Sequence, residues 1–272
     1  ESTLPKHVDS LYGKTILSGM YNGRGYSASS NWVKSYKNGA YIKLNGTLKR
    51  NGDFTTPHYN LTNTGNKENN FSISLGQNGI KHKWNAYFSY FDTKIAILKS
   101  AHIGNVQDLL RAIESSVPLI INPYKSDIDY PMQDNSHCTA NIEYTNANIA
   151  DGELHVKYSW QRNNRKEFDV RRGSLKGTPN LDMKLNTHNL VSNYEWNTGL
   201  GNFDSGTFFQ VQDNYSSPET EIRRLIPDYL KTMLGGYFTA VFNNTKDFIF
   251  DFGARYEYHN NVVQKFYKDS RW

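Results

Sequence analysis

From Tyr12 onward the chain repeats one pattern about eleven times: roughly ten residues alternating apolar and polar, closed in turn by a tight turn and a long polar loop. The clearest copy lies near the C-terminus. Phe248, Phe250, Phe252, Ala254, Tyr256 and Tyr258 fall on one side, Asp251, Arg255, Glu257 and His259 on the other. A period of two specifies an extended strand with two chemically different faces. Leu154/Val156/Tyr158/Trp160 oppose His155/Lys157/Ser159/Gln161, and Trp84/Ala86/Phe88/Tyr90 oppose Lys83/Asn85/Tyr87/Ser89. A soluble sandwich alternates as well, but it seldom puts charged or amide side chains on nearly every second face while crowding aromatics at the strand ends of the first. That distribution fits strands with one side in lipid, aromatic girdles at the interfaces and a wet or filled lumen.

The connections add independent information. Tight turns are expected at Lys37-Asn38-Gly39, Gln77-Asn78-Gly79, Asn148 to Gly152, Asn197 to Asn202 and Asn243 to Asp247, all rich in residues that tolerate positive φ. Longer polar stretches run from Asn51 to Asn69, Leu98 to Gln133, Val170 to Met183 and Ser216 to Asp228. Short periplasmic turns and long extracellular loops are the habit of outer-membrane barrels, so odd strands run outward and even strands return. Asn22 to Gly25 is the exception, a short connection where a long loop is expected.

Mean hydropathy of −0.71 and 21% charged residues exclude a helical membrane protein, because a spanning helix needs about eighteen or more apolar residues in a row. A barrel needs no such run, since only every second residue meets lipid. The single cysteine, Cys138, precludes a disulfide framework and falls on the apolar side of its strand. The expected fold is all-β: an up-and-down antiparallel transmembrane β-barrel with long outer loops. An odd count of about eleven strands implies about half of a barrel of about twenty-two, with residues 1–11 as a linker and 12–272 as the N-terminal half of the barrel. The chain shows neither a methionine start nor a signal peptide at Glu1. One segment breaks the β pattern. Val106, Leu109, Leu110 and Ile113 recur at helical spacing behind an Asn105 cap, which predicts a short amphipathic loop helix near 105–115, packed down on its neighbours.

Several segments then carry a resemblance to a family. Lys49 to Gly65 (KRNGDFTTPHYNLTNTG), Phe91 to Ile113 (FDTKIAILKSAHIGNVQDLLRAI), Gln161 to Gly173 (QRNNRKEFDVRRG), Gln212 to Tyr229 (QDNYSSPETEIRRLIPDY) and FGARYEYH from Phe252 to His259 resemble TonB-dependent outer-membrane receptors of Gram-negative bacteria, those for iron complexes above all. The resemblance implies a twenty-two-stranded barrel filled by an N-terminal plug. It also implies import of a scarce metal chelate, such as a ferric siderophore, with energy passed from the inner membrane through the TonB–ExbB–ExbD complex. Plug, TonB box and the C-terminal half of the barrel are not among these residues. The Phe/Tyr-Arg-Ala-Pro and Asn-Pro-Asp-Leu signature of haem receptors is not visible either. The alternative readings are a passive outer-membrane pore or adhesin, or a receptor of the same family for haem, cobalamin or another nutrient.

Ligand chemistry is sought in the outer loops. Arg162 to Lys176 holds Arg162, Arg165, Lys166, Arg171, Arg172 and Lys176 against only Glu167 and Asp169, and Arg223 and Arg224 add a second pair in the loop that follows Tyr215. Guanidinium forks bind carboxylate, catecholate or phosphate oxygens at two points. Arg165, Arg171, Arg172, Tyr215, Arg223 and Arg224 are therefore the candidate ligand-binding residues. Two other readings stand beside this one: the rim cations bind lipopolysaccharide phosphates or other outer-membrane lipid, or they form structural ion pairs with a plug. No Gly-x-Ser-x-Gly elbow, His-Glu-x-x-His pair or phosphate-cradling glycine loop is present, so no catalytic residue, cofactor or metal ligand is expected. Asp127, Asp129 and Asp134 lack the glycine and terminal glutamate of a calcium loop. Net charge +5 and a pI near 9.0 are explained by a basic mouth without nucleic acid.

Overall fold

A computed structural model describes residues 8–101, 105–171, 173–224, 226–242 and 248–264. Its main element is one antiparallel sheet of eleven strands: β1 (Ser10–Met20), β2 (Gly25–Ser35), β3 (Ala40–Asn51), β6 (Asn66–Asn78), β7 (His82–Ala96), β8 (Met132–Ile149), β9 (Gly152–Phe168), β10 (Leu181–Thr198), β11 (Gly201–Ser216), β12 (Asp228–Phe242) and β13 (Phe250–Gln264). Their order across the sheet is their order in the chain, with only β4 and β5 left out between β3 and β6, the up-and-down order that the alternating turns and loops demand. The first strand starts at Ser10, two residues earlier than its pattern suggested. β1 and β13 each have one neighbour and form the two edges of the sheet. Between β3 and β6 a two-stranded ribbon, β4 (Phe54–Thr55) and β5 (Asn60–Leu61), folds the loop back on itself.

Register separates the two faces sharply. Leu75, Ala86, Ile142, Tyr158, Leu190, Phe209, Leu234 and Tyr258 lie directly opposite one another on eight successive strands and form one apolar row. A row on the other face, three residues nearer the long loops, reads Asn45, Ser72, Ser89, Thr139, Gln161, Thr187, Gln212 and Lys231. Amide and hydroxyl groups bond along it, as Asn45 Nδ2 donates to Ser72 Oγ at 3.0 Å and Gln212 Nε2 to Thr187 Oγ1 at 3.0 Å. The apolar row is left exposed: Ile142 is 58% and Leu234 53% accessible. Among the described residues no second layer covers it. An apolar surface of this extent marks contact with a membrane or with another protein surface.

Near the tight-turn end the apolar face is aromatic. Trp196 stacks between Tyr194 and Phe203, with ring centroids 5.1 and 5.4 Å away, and Phe242 meets Phe203 edge-on at 5.6 Å. The strand-end aromatics that the sequence pattern places on this face thus stack with one another on β10, β11 and β12. Turns are as tight as expected: Gly39 has φ 80°, and Ala150 and Asp151 accept φ 46° and 63° in the two-residue β8–β9 hairpin. The expected Asn243 to Asp247 turn lies outside the described residues. Helix α1 (Val106–Glu114) forms where predicted, with Asn105 Oδ1 accepting the N–H of Asp108 at 2.9 Å. It does not pack down, however. Val106 and Ile113 are 71% and 70% exposed and none of its residues is buried. Loop anchoring is done by polar side chains instead.

Candidate functional site

At the long-loop end, three loops are tied into one layer by buried polar groups. Asp53, 2% exposed, accepts the backbone N–H of Thr64 and of Lys125. Asn63 donates to the carbonyls of Ile97 and Pro131 and accepts the N–H of Asp129, and Thr62 Oγ1 accepts the N–H of Asn122. Tyr124 reaches the loop between β1 and β2, donating its hydroxyl to the Gly23 carbonyl at 3.2 Å, and Arg24 lies over its ring at 4.1 Å. A buried carboxylate or amide must have its partners. These residues therefore hold the loop backbones in one arrangement.

Sequence reasoning missed this cluster, because Asn, Asp and Thr in a polar stretch look alike whether they are solvated or buried. The acidic trio is likewise engaged: Asp127 pairs with Arg50 at 3.1 Å, Asp129 with Lys99 at 2.7 Å and Asp134 with Lys94 at 2.8 Å. Among the described residues no group of side chains is arranged to hold a metal ion. The Lys99 ammonium, hydrogen-bonded to Asp129, holds that carboxyl below the usual carboxylate range against the opposing effect of its burial, and the N–H of Tyr130 adds to the lowering.

A second unit joins the β9–β10 and β11–β12 loops. Between them lies a cavity of about 220 Å³ lined by Glu167, Asp182, Met183, Thr220, Arg223 and Arg224, among others. Arg171 donates to the Thr220 carbonyl at 2.9 Å, so one loop grips the other. Arg224 pairs with Asp228 at 2.7 Å. Ser216 N–H donates to Asp228 Oδ1 at 2.6 Å, closing the base of the loop. Arg223 is exposed at the cavity wall.

The six residues singled out from the sequence are not gathered in one place. β9 continues to Phe168, so Arg162, Arg165 and Lys166 belong to a strand and not to a loop, and alternation sends them to different faces. Arg165 shares the polar face with Asn135 and Met183 and bonds Glu167. Lys166 sits on the apolar-face side at the strand end, 3.7 Å from Asp182. Tyr215 faces Lys184 and Asn164 across β10, also on the apolar-face side, and is 42% exposed. Arg171, Arg223 and Arg224 share the two-loop unit, and Arg172 lies outside the described residues. The sequence spacing overstated the cluster because it took the strand to end several residues early.

Compared with known proteins, the chain has no match among protein-family models and none among curated proteins. Solved structures do match. The ferric-catecholate import receptor Fiu from E. coli K12, in its closed form, superposes with a TM-score of 0.65 at 11% identity over 97% of this chain and 43% of its own. The siderophore receptor PiuA from Acinetobacter baumannii gives 0.59 at 12% identity over 99% of this chain and 45% of its own. The chain shares the fold of the part of each receptor that it superposes on. It spans less than half the length of either receptor, and at this identity the likeness concerns the path of the backbone.

Proposed function

We propose that the chain forms wall and loops of an outer-membrane receptor that takes up an iron chelate, a ferric siderophore or a similar complex, with energy supplied through TonB, ExbB and ExbD. The observation that carries this reading is the match of nearly the whole chain to the fold of two siderophore receptors, together with a sheet polar on one face and lipid-compatible on the other. In this reading the loop layer is a preorganised mouth. Arg171 and Arg223 give it positive charge near the exposed cavity, while Arg165 and Arg224 are already neutralised by Glu167 and Asp228. A cavity of about 220 Å³ is below the roughly 300–1,000 Å³ that encloses a drug-sized ligand. A chelate is therefore expected to meet the mouth as a surface, with one group entering the cavity.

The test is uptake of radiolabelled ferric catecholate by iron-starved cells with and without the gene, repeated after a protonophore dissipates the energy supply. Gene-dependent, energy-dependent accumulation is expected. Uptake that persists without the gene overturns the reading, and gene-dependent uptake that ignores the protonophore favours a passive pore.

A further inference from the structure

The cavity between the β9–β10 and β11–β12 loops is lined by charge of both signs. Two of its lining residues offer acceptors: Asn180 Oδ1 and Asp182 Oδ1 are buried atoms that accept no hydrogen bond among the described residues. The Asp182 side chain is only 14% exposed, and its other oxygen lies 3.7 Å from Lys166 Nζ, beyond hydrogen-bond reach. A buried carboxylate oxygen without a donor is costly. This part of the lining therefore favours a group that brings N–H donors, an ammonium above all.

Arg223 supplies the opposite sign. Its guanidinium makes no ion pair among the described residues, whereas Arg224 beside it is held by Asp228 at 2.7 Å. Met183, Ile222 and Ile226 add aliphatic surface to the lining, and the two isoleucines are 41% and 45% exposed. The loops are braced against each other, with Ser217 N–H donating to the Asp182 carbonyl at 2.8 Å and Arg171 to that of Thr220, so the cavity is preformed. A simple anion would suit Arg223 but meet the Asp182 carboxylate, and a simple cation would suit Asp182 but meet Arg223. A group that carries an ammonium, a carboxylate and an aliphatic side chain matches all three parts of the lining.

We propose that this cavity binds an aliphatic α-amino acid group of the imported ligand, with its ammonium at Asp182 and Asn180, its carboxylate at Arg223 and its side chain against Met183, Ile222 and Ile226. The inference rests on the reading of the chain as a chelate receptor for what carries the group, while the binding step stands on the cavity alone. At about 220 Å³ the cavity suits one amino acid and not a whole chelate.

The test is a saturation-transfer NMR titration of the purified protein in detergent micelles with L-leucine, with N-acetyl-L-leucine, which lacks the ammonium, and with L-leucinamide, which lacks the carboxylate. Saturable binding of leucine with a Kd on the order of 1 mM is expected for so small a ligand. Each analogue should bind about tenfold more weakly, the loss of one charge-assisted contact. Asp182→Asn and Arg223→Gln should each weaken leucine by a similar factor, and Arg223→Lys should restore it, with far-UV circular dichroism showing that every variant keeps its sheet. No saturable signal from leucine, an analogue that binds as well as leucine, or an unaltered Arg223→Gln variant would overturn the proposal. None of these results touches the uptake reading, which stands or falls on gene-dependent, energy-dependent accumulation of the ferric chelate.

Discussion

Asp53 and Lys125, 72 positions apart in the chain, bind each other twice: the N–H of Asp53 donates to the Lys125 carbonyl at 2.9 Å, and the N–H of Lys125 donates to Asp53 Oδ2 at 3.2 Å. With Thr64 on the other carboxylate oxygen, this side chain fastens the β3–β6 loop to the β7–β8 loop. Replacing it by alanine leaves two N–H groups without their acceptor. Bonds to a charged group are worth about 1.5–3 kcal/mol each, so Asp53→Ala should loosen the layer by on the order of 3 kcal/mol. Hydrogen exchange at Lys125 and Thr64 reads this directly, and unchanged protection would contradict it.

Placement on the sheet decides which apolar residues tolerate charge. Leu234 lies midway along β12 on the apolar face, whereas Phe250 opens β13 beside the tight-turn end. The cost of a cation facing lipid falls from about 2–4 kcal/mol at the midplane to about 0–1 at the interface. Leu234→Arg should therefore block folding into bilayers far more than Phe250→Arg does. Met233→Gln and Asp251→Asn, on the opposite face, should be tolerated. Folding titrations in lipid vesicles measure all four, and equal costs at positions 233 and 234 would refute the face assignment.

On the polar face the Tyr237 ring lies across Gly206, and its hydroxyl donates to Asp204 at 3.0 Å. A Cβ at position 206 would come 2.7 Å from a ring carbon and 2.8 Å from Asn193 Oδ1. Gly206→Ala should displace the ring from Asp204 and destabilise the wall by about 1–3 kcal/mol, the usual cost of overpacking. The matched variant Tyr237→Ser should relieve the clash, so a double-mutant cycle that shows no coupling would count against this contact.

Asp129 gives the loop layer a pH dependence of known sign. Its carboxyl titrates below the ordinary value because of Lys99. Its contribution is therefore fully present above about pH 4, the usual unfolded carboxylate value, and is lost as pH falls through the lower folded value. At half-exposed positions such pairs are weak, and the effect is expected to be local. Protease nicking of the β7–β8 loop should be flat from pH 7 to about 5 and rise at more acid pH, and Asp129→Asn should remove the part of that rise due to this pair. A steep increase between pH 5 and 7 would assign the dependence to other groups.

If the protein takes up an anionic chelate, as proposed, capture should depend on Arg171 and Arg223. Arg171 also braces the neighbouring loop through Thr220, so its loss weakens both charge and shape. Substituting both by glutamine should slow uptake several-fold at low salt, with the difference shrinking as ionic strength rises and screens the field. Surface expression should be unchanged. If uptake is intact but sensitivity to membrane-disrupting agents changes, these cations serve lipid and not ligand.

Strand number, order and facing were legible from the sequence alone, because period-two alternation, turn residues and loop length are local properties and an up-and-down sheet pairs each strand with its chain neighbour. Helix α1 was legible for the same reason, from its spacing and its Asn105 cap. Its exposure was not, since that depends on what the loop meets in space. Tertiary structure alone decided where β9 ends, which split Arg165 from Lys166 onto opposite faces, and which polar loop residues are buried. Asp53 and Asn63 sit in stretches with no periodicity to read, and their roles arise from bonds to Lys125, Ile97 and Pro131 far along the chain.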